Sequence, residues 1–72
     1  MITVYVKLLG EGTLVFRPVP AELVGGTTAK LLPVDDYASS GEEWEFPPES
    51  TVTCENRVLE GKEVWVAVAA KA

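Results

Sequence analysis

Rhythm constrains this chain most. Its apolar residues recur at every second position in short runs, and glycine or proline ends each run before a helical stripe develops. Ile2, Val4, Val6 and Leu8 alternate with Thr3, Tyr5 and Lys7, the pattern of a strand with one buried face. Leu9 breaks the alternation, and Gly10-Glu11-Gly12 supplies a hairpin loop with a positive-φ position. A second strand is expected over Thr13–Val19, with Leu14 and Phe16 on one face. Pro18 and Pro20 have no N–H to give a ladder, so this strand is expected to end near Arg17 or to lie at a sheet edge.

Pro20–Val24 then crosses to Gly25-Gly26, the strongest breaker in the chain, and a third strand follows at Thr27–Leu32. Pro33–Glu43 is the longest connection, rich in turn chemistry at Asp35-Asp36 and Ser39-Ser40-Gly41. It allows one helical turn after Asp35 and no more. Trp44-Glu45-Phe46 reads as a short extended piece before Pro47-Pro48. Thr51–Val58 alternates again, with Val52, Cys54 and Val58 on its apolar side and Asn56 as the exception. Glu60-Gly61 is the next hairpin turn. The last strand, Glu63–Ala69, sets Val64, Val66 and Val68 against Trp65, Ala67 and Ala69.

Five short strands without helical periodicity mean an all-β fold. So few strands must curl to hide their edges, which favours one small five-stranded SH3-like barrel spanning residues 1–72. The alternative is an antiparallel sheet completed by dimerisation. A chain of 72 residues buries only about 60% of the surface its unfolded form exposes. Cys54 is the single cysteine and histidine is absent, so neither a disulfide framework nor a thiolate-imidazole zinc cluster supports the fold. Stability must come from an apolar core, and 47% of the residues are hydrophobic.

The net charge of −5 is regional. Between Leu31 and Asn56 lie seven acids (Asp35, Asp36, Glu42, Glu43, Glu45, Glu49, Glu55) and no Lys or Arg. The remainder carries four acids against six basic residues. Such a segment repels phosphate backbones and attracts cations, which disfavours a nucleic-acid partner and favours a basic protein surface or peptide. No targeting segment precedes the first strand-like run, and the longest apolar run, Val64–Ala70, falls far short of the ~20 residues a membrane helix needs. A lone cysteine fits a reducing compartment, so the cytoplasm is expected.

Val4-x-Val6-x-Leu8-Leu9, Arg17-Pro18-Val19 and Glu42-Glu43-Trp44-Glu45-Phe46-Pro47-Pro48 with Val52-x-Cys54-Glu55 resemble a family of short bacterial proteins with no assigned function. The resemblance spans most of the chain. It implies an SH3-like barrel and a bacterial origin, and it carries no catalytic or binding residue across.

Catalysis finds little to work with. There is no histidine, phosphate-binding glycine loop or hydrolase elbow. Cys54 falls on the apolar face of its strand beside Glu55, a setting that raises rather than lowers a thiol pKa. The carboxylate spacing does not follow a calcium loop, so no cofactor or metal is expected. The aromatics carry more information. Tyr37 and Trp44 on the acidic segment, with Tyr5 and Trp65 on strands, are placed to line a shallow groove of the kind that receives peptides in SH3-type barrels. Phe46 and Trp65 are nevertheless expected to close the core of a small barrel, where large aromatics supply scarce buried area. The expected binding surface is therefore Asp35, Asp36, Tyr37, Glu42, Glu43, Trp44 and Glu45, on a non-enzymatic module for a basic or Arg-containing partner. The second expectation is a structural module that pairs through a sheet edge, with itself as a homodimer or with a larger protein. In that version Pro18 and Pro20 guard one edge, and Val64–Ala69 offers another.

Overall fold

A computed structural model describes residues 1–10, 15–34, 41 and 43–70. They form six strands rather than the five expected, because Glu43–Trp44 pairs with the end of the first: β1 (Ile2–Leu9), β2 (Phe16–Gly25), β3 (Thr28–Leu31), β4 (Glu43–Trp44), β5 (Thr51–Leu59) and β6 (Lys62–Ala70). The architecture is all-β. The alternation of β1 is realised in full: Val4, Val6 and Leu8 are buried, and Ile2 packs partly buried against the core.

The strands make a circuit. β1 pairs with β2, β2 with β3, β3 with β5 and β5 with β6, all antiparallel. Four reversals leave β6 running the same way as β1, so the pairing that closes an odd ring has to be parallel. It is, through Val4↔Trp65 and Tyr5↔Val66 alone. β4 attaches to the far end of β1 at Leu8↔Trp44 and Leu9↔Glu43. Inside the circuit lies one core, built on Val4, Val6, Leu8, Val19, Ala21, Ala29, Leu31, Trp44, Phe46, Val52, Cys54 and Ala67.

β2 corrects the expected second strand. It does not stop near Arg17 but runs through both prolines to Gly25, taking in residues expected to be a crossing. The reason is the direction of the missing donors. The Pro20 carbonyl accepts from the Leu32 N–H at 2.9 Å, on the flank away from β1. Within a strand a residue's nitrogen and carbonyl share a flank and alternate with the next residue. The nitrogens of Pro20 and Pro18 therefore both point away from β1, and Val19 keeps its place opposite Val4. The prolines remove nothing from the β1–β2 ladder.

The turns follow sequence chemistry. Leu59↔Lys62 closes a two-residue hairpin in which Glu60 (φ 51°) and Gly61 (φ 82°) are both left-handed, the type I′ arrangement whose twist suits paired strands. Pro47–Ser50 forms a second turn: the Ser50 N–H donates to the Pro47 carbonyl at 3.2 Å, and Glu49 has φ 72°. That is a type II turn with proline where it is favoured and glutamate where glycine is. The Glu49 N–H bonds the Leu31 carbonyl and the Leu31 N–H bonds the Ser50 carbonyl, at 2.9 and 2.8 Å. The double proline thus locks the chain onto the end of β3. Of the expected Gly10-Glu11-Gly12 loop only Gly10 (φ 74°) is described, and the helical turn expected after Asp35 lies outside the described residues.

Two expected faces are corrected. β6 is not a simple alternation, because the β5–β6 register shifts from Thr53↔Ala69 to Cys54↔Ala67, leaving Val68 as a bulge. Ala67 faces inward with Cys54, while Val66 shares the opposite face with Tyr5; both are buried. Val58, expected on the apolar side of β5, is 66% exposed. The β2–β3 hairpin ends at the level of Cys54, whose N–H donates to the Thr27 carbonyl at 2.8 Å. Beyond that point β5 pairs only with β6, and nothing described packs over its inner face.

Candidate functional site

The acidic segment is held by its aromatics. Over residues 43–47 burial alternates strictly: Glu43, Glu45 and Pro47 are exposed, Trp44 and Phe46 buried. The Glu45 N–H donates to the Lys7 carbonyl at 2.9 Å, extending the β4–β1 contact by one residue. With its backbone pinned and two rings inside, the segment projects two carboxylates outward on the period-two geometry of a strand.

Trp44 corrects the expectation of an aromatic groove. It is 3% exposed and belongs to the core, so its ring is not available to stack on a partner. The Arg17 guanidinium lies 5.6 Å from the ring centroid, within cation–π range. Arg17 pairs with Val6 on β1 and Trp44 with Leu8, so both side chains share the inward face and meet where the circuit ends. Trp65 packs partly buried against the core. The signal for this was present in the sequence: Glu-Trp-Glu-Phe is itself an alternation, with the apolar residues on one face.

Of the expected binding residues, the structure therefore brings Glu43 and Glu45 together on one exposed face and takes Trp44 inside. Asp35, Asp36, Tyr37 and Glu42 lie outside the described residues. Glu49 is exposed on the type II turn. Glu55, the remaining acid of the segment, is engaged by Arg57 at 3.0 Å, both side chains being more than half exposed. Among the described residues no three His, Cys, Asp or Glu side chains converge as a metal would require, no buried side-chain polar atom lacks a partner, and no helix is long and apolar enough to cross a membrane. Burial pushes the Cys54 thiol pKa up, so at neutral pH it is a small apolar core residue.

The edge expectations are also revised. β6 is bonded on one flank by β5 along its length and on the other by β1 only at Trp65 and Val66, so the middle of Val64–Ala69 is closed, while among the described residues Ala67–Ala69 keep one flank unpaired. Among the described residues, β5 past Cys54 is open on the flank away from β6. The hairpin closes on the hydrogen-bonded pair Leu59–Lys62, so Leu59, Arg57 and Glu55 address β6, and the backbone groups of Asn56 and Val58 point away from it.

A cavity of about 370 Å³ is lined by Tyr5, Phe16, Leu59, Glu60 and Val15, the last of which also packs partly buried against the core. Tyr5 shares its face of β1 with Lys7, which pairs with Phe16, so the two rings are diagonal neighbours on the outer face. Tyr5, an expected groove residue, has Phe16 and the β5–β6 turn as its described companions in this cavity, not the acidic segment. No family model, characterised protein or solved structure matches the chain significantly.

Proposed function

We propose that this chain is a non-enzymatic protein-binding module, an SH3-like barrel whose acidic segment meets a basic or Arg-containing partner. The carrying observation is the alternation at residues 43–47, where two buried rings hold Glu43 and Glu45 outward on a bonded strand. Fixed carboxylates lose less conformational entropy on pairing than those on a loose loop. The barrel reading is supported by the circuit of pairings and the core inside it. The resemblance to short bacterial proteins and the single free thiol support a bacterial, cytoplasmic setting.

The test is a titration at low salt with an Arg/Lys-rich peptide, followed by NMR. Amides of residues 43–49 should shift, and the shifts should fade at ionic strengths where the Debye length falls below about 10 Å. Exposed pairs contribute about 0.2–1 kcal/mol each, so E43Q/E45Q together should weaken binding roughly twofold to thirtyfold. Shifts that survive high salt, or that ignore E43Q/E45Q, would overturn the reading.

A second reading rests on the open edge of β5. Asn56 and Val58 present outward backbone donors and acceptors beside an exposed valine, the setting in which another strand adds to a sheet. The occupant in this reading is a second copy of the chain. Light scattering that shows a monomer at millimolar concentration removes it.

A further inference from the structure

We infer that the cavity between the outer face of β1–β2 and the β5–β6 turn takes a cationic side chain, lysine or arginine, of a partner peptide; this rests on the proposed basic partner and adds a second point of contact to it. Among the described residues the lining consists of two aromatic rings, two aliphatic side chains and one carboxylate, with no basic residue. Tyr5 and Phe16 are both half-buried, so part of each ring remains open to a ligand, and the face of such a ring attracts a cation. Val15 and Leu59 suit the aliphatic stem that lysine and arginine bury while the charged head stays near water. Glu60 is the one charged group among the described lining residues and is itself exposed, which places its carboxylate where an incoming head group can be paired and still be hydrated. A volume of about 370 Å³ lies at the small end of ligand pockets and leaves ample room for one long side chain.

The backbone gives an independent reason to look at Glu60. It stands at φ 51° in a type I′ turn, a position that asparagine, aspartate or glycine fills at lower cost. A glutamate there bears backbone strain while giving the turn a longer reach than aspartate has. Lys7, across from Phe16, and Lys62, across from Leu59, are the nearest basic residues by register. Neither is among the described lining residues, and their charge opposes a cation approaching along the rim.

The experiment is an NMR titration of the whole chain at low salt with Nα-acetyl-arginine methylamide and its lysine counterpart. Nα-acetyl-citrulline methylamide serves as the neutral isostere. The expected result is movement of the Tyr5 and Phe16 ring resonances and the Leu59 and Glu60 amides with both cations. Glu60→Gln should weaken that response about twofold to fivefold without changing the fold, since exposed pairs contribute on this scale. Phe16→Leu should weaken it further. Equal ring shifts with citrulline would overturn the inference, because the site would then be apolar rather than cation-selective. Shifts confined to residues 43–49 would overturn it while leaving the proposed function standing. Shifts at the cavity that E43Q/E45Q leaves intact would uphold it even if the acidic segment binds nothing.

Discussion

Replacing Trp44 by alanine separates the two roles the acidic segment offers its tryptophan. A Trp side chain buries about 150–250 Å², which at about 25 cal/mol per Å² amounts to about 4–6 kcal/mol. The compactness of real unfolded chains lowers this to about 3–5 kcal/mol, the range measured for Trp→Ala in cores. Loss of the Arg17 contact adds about 0.5–1 kcal/mol. A chain of 72 residues is stable by roughly 4–11 kcal/mol in total. Trp44→Ala should therefore leave the protein marginal or unfolded. Urea denaturation followed through Trp65 fluorescence measures the loss, and Trp44→Phe, which keeps a ring in the core, should lose less than half as much. E43Q and E45Q should each stay within about 0.5 kcal/mol of the parent, as surface changes do. If Trp44→Ala cost less than about 1 kcal/mol, the ring would not be an anchor, and the account of how Glu43 and Glu45 are held would fail with it.

Glu49→Gly should stabilise. A left-handed φ costs an L-residue about 1–2 kcal/mol and the added freedom of glycine returns about 0.5–1 kcal/mol, so the net is about 0.5–1 kcal/mol and a rise of a few degrees in Tm. Gly61→Ala at φ 82° should cost about 1–2 kcal/mol in the same denaturation assay. The raised Cys54 pKa gives a signed expectation. Between the unfolded thiol's value, about 8.5, and its higher folded value, the folded state binds more protons, so stability is full below pH ~8.5 and falls as pH rises through that window. Unfolding curves collected from pH 7 to 10 should show the decline, and Cys54→Ala should flatten it. Arg57→Gln should change stability by less than about 0.5 kcal/mol, since its ion pair with Glu55 is open to water.

Strands were legible where alternation was clean and each flank met one neighbour. β1 is the clearest case, since seven residues of strict period two leave no other assignment, and the Glu60-Gly61 turn carries its own chemistry. The extent of β2 is hidden because proline breaks a strand only when its nitrogen faces the partner. Only the register with β1, a long-range property, decides that. Val68 defeated the facing of β6 for a related reason: a bulge costs one residue and leaves no local mark in a run of Val and Ala. Val58 was placed inside because its strand reads as apolar there. The β2–β3 hairpin ends at Cys54, so the rest of β5 extends past the layer that would have covered it.

The acidic segment shows most plainly how local pattern and tertiary role differ. Trp44 between Glu43 and Glu45 suggested an aromatic displayed among charges, yet the same alternation requires that, if the charges face water, the ring faces the other way. Pairing β4 with Leu8 and Leu9 supplies the apolar layer that makes this direction favourable. The cavity at Tyr5 could not be found by the same logic. Tyr5 and Phe16 meet because β1 and β2 are hydrogen-bonded, and Glu60 reaches them because the β5–β6 hairpin outruns its neighbours. Three segments far apart in the chain must fold before these side chains share a space. The odd count of strands in the circuit matters here as well. It forces the closing seam between β1 and β6 to be parallel, and only two residue pairs bond across it, Tyr5 among them. The residue whose backbone helps close the sheet thus also lines the cavity through its side chain, which is why no local pattern around Tyr5 marks it as a site.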